Sequence, residues 1–188
     1  MSLAAAWRRG AVQAELVDGR VWLGLDGRGL ALDAPAGGPL DRPVHGVLVT
    51  SGRIDRVAGL LGMLVDREAL ELWVPLADDR AALVGELAHQ AWDRDVAVDA
   101  LAPGASVPFG RAELEVHALD GDAATLGVRV VHPDATVVYL PRAKAGAAAR
   151  RLVRGADLVV PEPGAWPLDV LLGLAGTADV LVGSTAMA

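Results

Sequence analysis

Val-Leu-Val-Thr-Ser-Gly-Arg-Ile-Asp-Arg-Val-Ala-Gly-Leu-Leu, residues 47–61, is the stretch of sequence that decides the fold. It begins as a short apolar strand, continues through a polar turn, and ends in an amphipathic helix. Apolar residues recur on one face of that helix, at Ile54, Val57, Ala58, Leu61, Leu64 and Val65. The segment therefore predicts a strand, a turn and a helix in immediate succession.

The composition predicts a single packed domain over residues 1–188. Apolar residues make up 53% of the 188 and charged residues 22%, so the chain can bury a large core. There is no Cys, which excludes disulfides and thiolate metal ligands.

Charge and hydropathy bear on partners and location. The net charge of −7 disfavours binding to nucleic acid or to anionic membranes, because both need clustered cations. No apolar run approaches the roughly 20 residues of a membrane helix, and the start of the chain lacks the apolar run of a secretion signal. We therefore expect a cytoplasmic protein that binds neither nucleic acid nor membranes.

The first third of the chain has the pattern of antiparallel strands. Apolar and polar residues alternate over residues 11–17, and two dipeptides, Asp18-Gly19 and Asp26-Gly27, are strong signals for two-residue hairpin turns. Together they predict three strands, at residues 11–17, 21–23 and 30–32.

Beyond Thr50, predicted strands alternate with predicted helices. The strands are residues 70–74, 96–98, 126–131, 136–140, 158–160 and 180–182, with hairpin turns at Phe109-Gly110 and Pro133-Asp134. The helices are the one that begins at Ile54, one capped by Asp78 and Asp79, one over 145–153 and one over 168–174. This mixture predicts an α+β or α/β fold, with two mixed sheets and helices outside them.

The order of these landmarks resembles the metallo-β-lactamase superfamily, whose signature is a strand followed by Thr-His-x-His-x-Asp-His and then Gly-Leu. Thr50, Asp55 and Gly59-Leu60 match that signature, whereas Ser51, Arg53 and Arg56 stand at its three His positions. The early strand that ends in Asp33 and the strand that ends in Pro75 also fit the family's order. The resemblance implies an αββα sandwich.

Within the superfamily, the chain is most similar to the pyrroloquinoline-quinone biosynthesis B family. That family also has a Thr-rich turn, Asp-His at the helix start, where this chain has Asp55-Arg56, and a Gly-Leu-Leu continuation. Its Gly-Ala-Asp-Leu strand, which ends before a Trp, resembles residues 155–158 here, with Trp166 after them. The present chain is considerably shorter, so we expect loops or a C-terminal portion of that family to be missing.

The resemblance also locates a vestigial site. By position, Ser51 and Arg53 replace ligands of one metal, and Asp55 and Arg56 those of the other. The bridging Asp falls near Arg142, the mid-chain His near Gly121 or Asp122, and the final His near Ser184 or Thr185. The vestigial site is therefore expected to comprise Ser51, Arg53, Asp55, Arg56, Asp122, Arg142 and Ser184.

The arginines argue against a metal and for a salt-bridge network. A guanidinium is always protonated and offers only donors, so it cannot ligate a cation. Two unit charges 4 Å apart repel by roughly 4 kcal/mol at an effective dielectric near 20. We expect no metal and no other cofactor, with Arg53 or Arg56 paired to Asp55 or Asp122. The arginines could form an anion pocket or only compensate charge in a decayed site.

These observations predict a metal-free, non-catalytic binding or interaction module whose partner is a protein or a small anion. The alternative is a metal-dependent hydrolase with rearranged ligands drawn from Asp33, Asp55, His117, Asp120 and Asp122. A third interpretation is a small-molecule binding module related to quinone-cofactor synthesis. Five Trp residues beside one Phe and one Tyr make a homodimer plausible through exposed apolar patches.

Overall fold

The protein is built from two β-sheets with short helices on their outer faces. A computed structural model describes residues 3–4, 6–37, 40–64, 69–75, 95–120 and 125–182. The strands are β1 (Leu3–Ala4), β2 (Ala6–Arg9), β3 (Val12–Val17), β4 (Arg20–Leu25), β5 (Arg28–Leu32), β6 (Gly46–Leu48), β7 (Ala69–Pro75), β8 (Asp95–Leu101), β9 (Ser106–Phe109), β10 (Ala112–Ala118), β11 (Leu126–His132), β12 (Ala135–Leu140), β13 (Leu158–Pro161) and β14 (Asp179–Leu181). The helices are α1 (Ile54–Val57), α2 (Leu60–Leu64), α3 (Ala147–Val153) and α4 (Leu168–Ala175). No helix in the described ranges is long and apolar enough to cross a membrane.

The first sheet has the strand order β2-β3-β4-β5-β6-β7-β8, antiparallel from β2 to β5 and parallel from β5 to β8. Two of its three hairpin turns have positive φ at both central residues, 50° and 73° at Asp18 and Gly19, and 53° and 81° at Asp26 and Gly27. Positive φ at both positions is typical of a type I′ turn, which Asp-Gly favours. The predicted N-terminal hairpins are therefore confirmed.

The second sheet has the order β1-β14-β13-β12-β11-β10-β9. Strands β9 to β12 are antiparallel, and β12, β13, β14 and β1 are parallel. Phe109 pairs with Ala112 and His132 with Ala135, so the hairpins predicted at Phe109-Gly110 and Pro133-Asp134 are both present.

The main core lies between the two sheets. Leu23, Leu25 and Leu30 of the first sheet share one buried cluster with Leu114 and Val128 of the second. On the outer face of the first sheet, a second cluster includes side chains of α1 and α2 (Val57, Leu60, Met63). On the outer face of the second sheet, a third includes side chains of α3 and α4 (Ala149, Leu152, Leu171). This layering is the predicted αββα sandwich, an α+β fold.

The predicted amphipathic helix over residues 54–65 is wrong in its continuity, because it divides into α1 and α2 around Ala58 and Gly59. The N–H of Gly59 donates to the carbonyl oxygen of Ala34 at 2.8 Å. A Cβ at residue 59 would lie 2.2 Å from the Pro35 carbonyl oxygen, so only glycine allows this approach. Contact with the loop after β5 therefore competes with the helix.

One further difference lies at the edge of the first sheet. Strand β2 was not predicted, although it pairs with β3 over Ala6–Arg9. The helix predicted after Asp78 and Asp79 falls outside the described residues.

Asp26 connects the two sheets at one edge of the sandwich. Its carboxylate, in the β4–β5 turn, accepts hydrogen bonds from Arg111 Nε at 3.0 Å and His132 Nε2 at 2.9 Å, both from the second sheet. The other ring nitrogen of His132 accepts from the Asp134 N–H, which assigns the proton to Nε2. Hydrogen bonds from Arg111 and then His132 hold the pKa of the Asp26 carboxyl well below its ordinary value.

Asp26→Asn should lower the melting temperature at neutral pH, because the ionised carboxylate contributes stability above its unfolded-state pKa. That contribution is lost as pH falls through the lowered folded-state pKa, so the gap between variant and wild type should narrow below about pH 4. Thermal unfolding followed by circular dichroism measures the gap. Asp18→Asn, in the equivalent turn, is the control and should have a much smaller effect. A gap that stays constant down to acid unfolding would contradict this account.

Candidate functional site

Polar side chains converge where several strands of both sheets end. Asp33 follows β5 directly, Thr50 follows β6, and Glu162 follows β13. Parallel β5 and β6 carry the first two to the same edge of the first sheet, and β12 and β13 bring Tyr139 and Glu162 toward them. We call Asp33, Thr50, Arg56, Tyr139 and Glu162 the Arg56 cluster.

Asp33 is the acceptor at the centre of the cluster and is 2% exposed. Its carboxylate accepts from the Thr50 N–H at 2.7 Å, from the Thr50 hydroxyl at 2.8 Å and from the Tyr139 hydroxyl at 2.9 Å. Its backbone has a φ of 60°, a left-handed conformation that Asp tolerates better than most residues. The backbone turns sharply at the end of β5 and leaves the side chain in the interior.

Arg56 supplies the positive charge, although its residue is only 4% exposed. Its NH1 donates to Asp33 Oδ2 at 2.7 Å and to the Tyr139 hydroxyl at 3.2 Å. Its NH2 donates to Glu162 Oε2 in a close contact. The Arg56 carbonyl oxygen accepts a hydrogen bond from the Ala34 N–H at 2.7 Å, which holds α1 beside the loop after β5. The guanidinium is thus held between two carboxylates from different sheets.

The pKa values of the cluster reflect burial and charge together. Burial raises the pKa of the Asp33 carboxyl, while Arg56 and Thr50 oppose that shift. Burial lowers the pKa of Arg56, but Asp33, Tyr139 and Glu162 outweigh it, so the net shift is upward. Burial and the Asp33 charge raise the pKa of Tyr139 well above its ordinary value. Tyr139 is therefore a neutral hydroxyl at physiological pH, and Arg56 is a fixed cation.

The structure places the predicted site residues in several different environments. Ser51 is buried, and its hydroxyl accepts from the Arg53 N–H at 3.4 Å. Arg53 Nε lies 3.1 Å from Asp55 Oδ1, as predicted, but these side chains are 55% and 50% exposed. Of the two arginines proposed for that pairing, Arg53 therefore forms it, whereas Arg56 pairs with Asp33 and Glu162.

Arg142 contributes backbone, not a side chain, to the cluster. Its N–H donates to Glu162 Oε2 at 2.6 Å, and the residue is exposed. This bond holds the carboxylate that receives Arg56. Asp122 and Ser184 lie outside the described residues.

Two members of the cluster, Tyr139 and Glu162, were not predicted from the sequence. Tyr139 is the single Tyr of the chain and follows two Val residues in β12, and Glu162 stands between Pro161 and Pro163 just after β13. A lone polar group that interrupts or closes a buried apolar strand was the available signal. Asp33 had been named as a landmark and as a possible metal ligand, but not as a partner of Arg56.

A cleft of about 120 Å³ opens beside the cluster. Its charged lining residues are Arg20, Asp33, Asp55, Arg56 and Glu162. Three carboxylates against two guanidiniums leave no excess of positive charge. The volume is well below the roughly 300 Å³ at which small-molecule pockets usually begin. The cleft therefore suits water or a very small ion.

The cluster does not fit a metal ion. A structural or catalytic zinc site needs at least three His, Asp, Glu or Cys ligands, and no group of three or more such residues is arranged to hold a metal in the part of the chain that the structure describes. Both carboxylates of the cluster already bind the guanidinium. Arg56 itself can only donate hydrogen bonds.

The two face-to-face sheets, the outer helices and the polar cluster at the strand ends define the metallo-β-lactamase fold. No family model and no curated protein sequence matches the chain. Among solved structures, zinc-bound PqqB from Methylobacterium extorquens aligns with a TM-score of 0.60 and 20% identity, covering 89% of this chain and 64% of PqqB. The chain thus spans a little under two thirds of the length of PqqB, to which it is distantly similar.

Two other solved structures have the same fold. YhfI from Bacillus subtilis, described as a metallo-β-lactamase fold protein, aligns with a TM-score of 0.62 and 12% identity, covering 87% of this chain and 88% of YhfI. A diphosphatase of the PhnP family aligns with a TM-score of 0.61 and 14% identity, covering 87% and 73%. The resemblance predicted from residues 47–61 is confirmed at the level of the fold.

Arg56→Met should destabilise the protein by about 3–5 kcal/mol, because it leaves the buried Asp33 and the partly buried Glu162 without their cation. Arg53→Met, three residues away, is the matched control and should cost about 1 kcal/mol or less, since its ion pair is exposed. Urea unfolding at neutral pH measures both. Equal losses in the free energy of unfolding for the two variants would show that the Arg56 ion pairs contribute no more than an exposed ion pair.

Proposed function

We propose that this chain is a metal-free, non-catalytic protein of the metallo-β-lactamase fold that acts as a binding or interaction module. The observation that carries the proposal is the Arg56 guanidinium, seated between Asp33 and Glu162 at the strand ends. A cation entering there would meet a fixed positive charge, with a repulsion of roughly 4 kcal/mol at 4 Å for each unit charge. It would also have to displace Arg56 from both of its carboxylates.

The alternative is a metal-dependent hydrolase with rearranged ligands, and the positions of those candidates support the first proposal over it. Asp33 and Asp55 are bound to Arg56 and Arg53. Asp120 accepts from the Ala148 N–H at 3.0 Å, at the start of α3. Of the remaining two candidates, His117 lines a different cleft, and Asp122 lies outside the described residues.

For Arg56 itself, charge compensation is better supported than an anion pocket. An added anion would compete with Asp33 and Glu162 for a guanidinium whose NH1 and NH2 are already used. The described residues include one exposed large apolar side chain, Leu168, with 39% of its surface accessible, so they show no broad apolar patch for a dimer interface. The proposed homodimer stays a prediction from the sequence. The cytoplasmic location also stays a prediction from the sequence.

Elemental analysis of protein purified without chelators tests the proposal. We expect substoichiometric transition metal, and no rise in melting temperature when zinc is added, because ligand binding to the folded state would stabilise it. Retention of about one or two equivalents of zinc, iron or manganese would overturn the metal-free assignment.

Turnover assays test the catalytic alternative separately. A panel of phosphodiesters and carboxylic esters should give no turnover above background with the wild-type chain. Reproducible turnover that Asp55→Ala abolishes, while Asp41→Ala leaves it unchanged, would establish the hydrolase instead. Asp41 is an exposed residue that does not line the cleft, so it controls for a general loss of acidic charge.

A further inference from the structure

A second and larger cleft lies beside α3, on the other side of the molecule's second sheet from the main core. Its volume is about 580 Å³, within the range of small-molecule sites. Strands β10 and β11 supply His117 and Arg129, while α3 and the residue after it supply Arg151 and Arg154. Its uncharged lining residues are Pro103, Gly104, Ala118, Ala148 and Leu152.

The charge of this cleft is opposite to that of the chain as a whole. Among the described residues, its lining includes three arginines and one histidine but no carboxylate, although the chain carries a net charge of −7. Arg151 and Arg154 are exposed and form no ion pair with any described residue. Two carboxylates lie next to lining residues: Glu115 is 3.5 Å from His117 Nε2 and 3.9 Å from Arg129 Nε, and Asp120 accepts a hydrogen bond from the Ala148 N–H at 3.0 Å. Two guanidiniums are therefore available to an anion.

Arg129 prepares the cleft for negative charge. Its NH1 donates to the carbonyl oxygens of Leu152 at 2.9 Å and of Arg154 at 3.1 Å. These are carbonyls that the end of α3 would otherwise leave exposed, and a helix C-terminus carries partial negative charge that disfavours anions. By covering them, Arg129 removes the groups that would compete with an anion for Arg151 and Arg154. It is a positioning residue for the site.

We propose that this cleft binds the phosphate group of a small organic molecule. Guanidinium forks match phosphate oxygens in geometry as well as charge. Pro103, Ala118 and Leu152 provide apolar walls for an aliphatic body. Among the described residues, no Phe, Tyr or Trp lines the cleft. The site is separate from the Arg56 cluster, and its binding does not depend on the function proposed above.

An NMR titration of the full chain tests the site, with backbone amide shifts followed for inorganic phosphate, pyrophosphate and glycerol 3-phosphate at constant ionic strength. We expect saturable shifts confined to the lining residues, at 103–104, 117–118, 129, 148, 151–152 and 154. Tighter binding of glycerol 3-phosphate than of phosphate would identify an organic phosphate as the ligand. Shifts spread over the surface, or equal shifts with chloride, would overturn the proposal.

Paired variants separate the site from a general charge effect. Arg151→Gln with Arg154→Gln should weaken binding about tenfold or more, because it removes two charge-assisted contacts. Arg8→Gln with Arg150→Gln removes two exposed arginines that do not line the cleft and should change binding by less than about twofold. If the double variant does not fold, Arg154→Gln alone tests the site, because Arg154 follows α3 and is not part of the helix. Equal losses in the site and control variants would refute a specific site.

Discussion

The sandwich depends on one buried cation shared between its two sheets. The backbone of Arg56 lies in α1, which follows β6 of the first sheet. Its guanidinium donates hydrogen bonds to Asp33, after β5 of the same sheet, and to Tyr139 and Glu162 of the second. A buried charge is tolerated only when it is paired and hydrogen bonded. The loops after β5, β6 and β13 must therefore hold fixed positions relative to one another, because moving any one of them would leave a charged side chain in the others without its partner.

The same constraint explains irregular features of the backbone near the cluster. Asp33 adopts a left-handed conformation, and the chain after α1 breaks at Gly59 so that it can approach the Ala34 carbonyl. A continuous helix would satisfy more local hydrogen bonds. The observed approach needs glycine at residue 59, because a Cβ there would collide with the Pro35 carbonyl oxygen. Here tertiary contact outweighs local helix propensity.

Local sequence patterns were sufficient to predict most of the fold. The Asp-Gly turns, the alternating strands and the strand–turn–helix of residues 47–61 each act over a few residues, so they can be detected without tertiary information. The Arg56 cluster could not be predicted in this way. Glu162 lies 106 residues from Arg56 along the chain, and only the stacking of two sheets brings them together. The alignment with the family signature offered only Asp55 and Asp122 as partners for Arg53 or Arg56, and of these Asp55 binds the exposed Arg53.

The two clefts illustrate why the number of arginines does not by itself identify an anion site. Beside the Arg56 cluster, carboxylates outnumber guanidiniums, and NH1 and NH2 of the buried cation both bind side chains of its own chain. Beside α3, no carboxylate of the described residues lines the cleft, and Arg129 binds carbonyl oxygens at the end of the helix. A guanidinium is available to a ligand where its donors are free of nearer acceptors. By that criterion, Arg151 and Arg154 are better placed to meet an anion than Arg56, because they form no ion pair with any described residue.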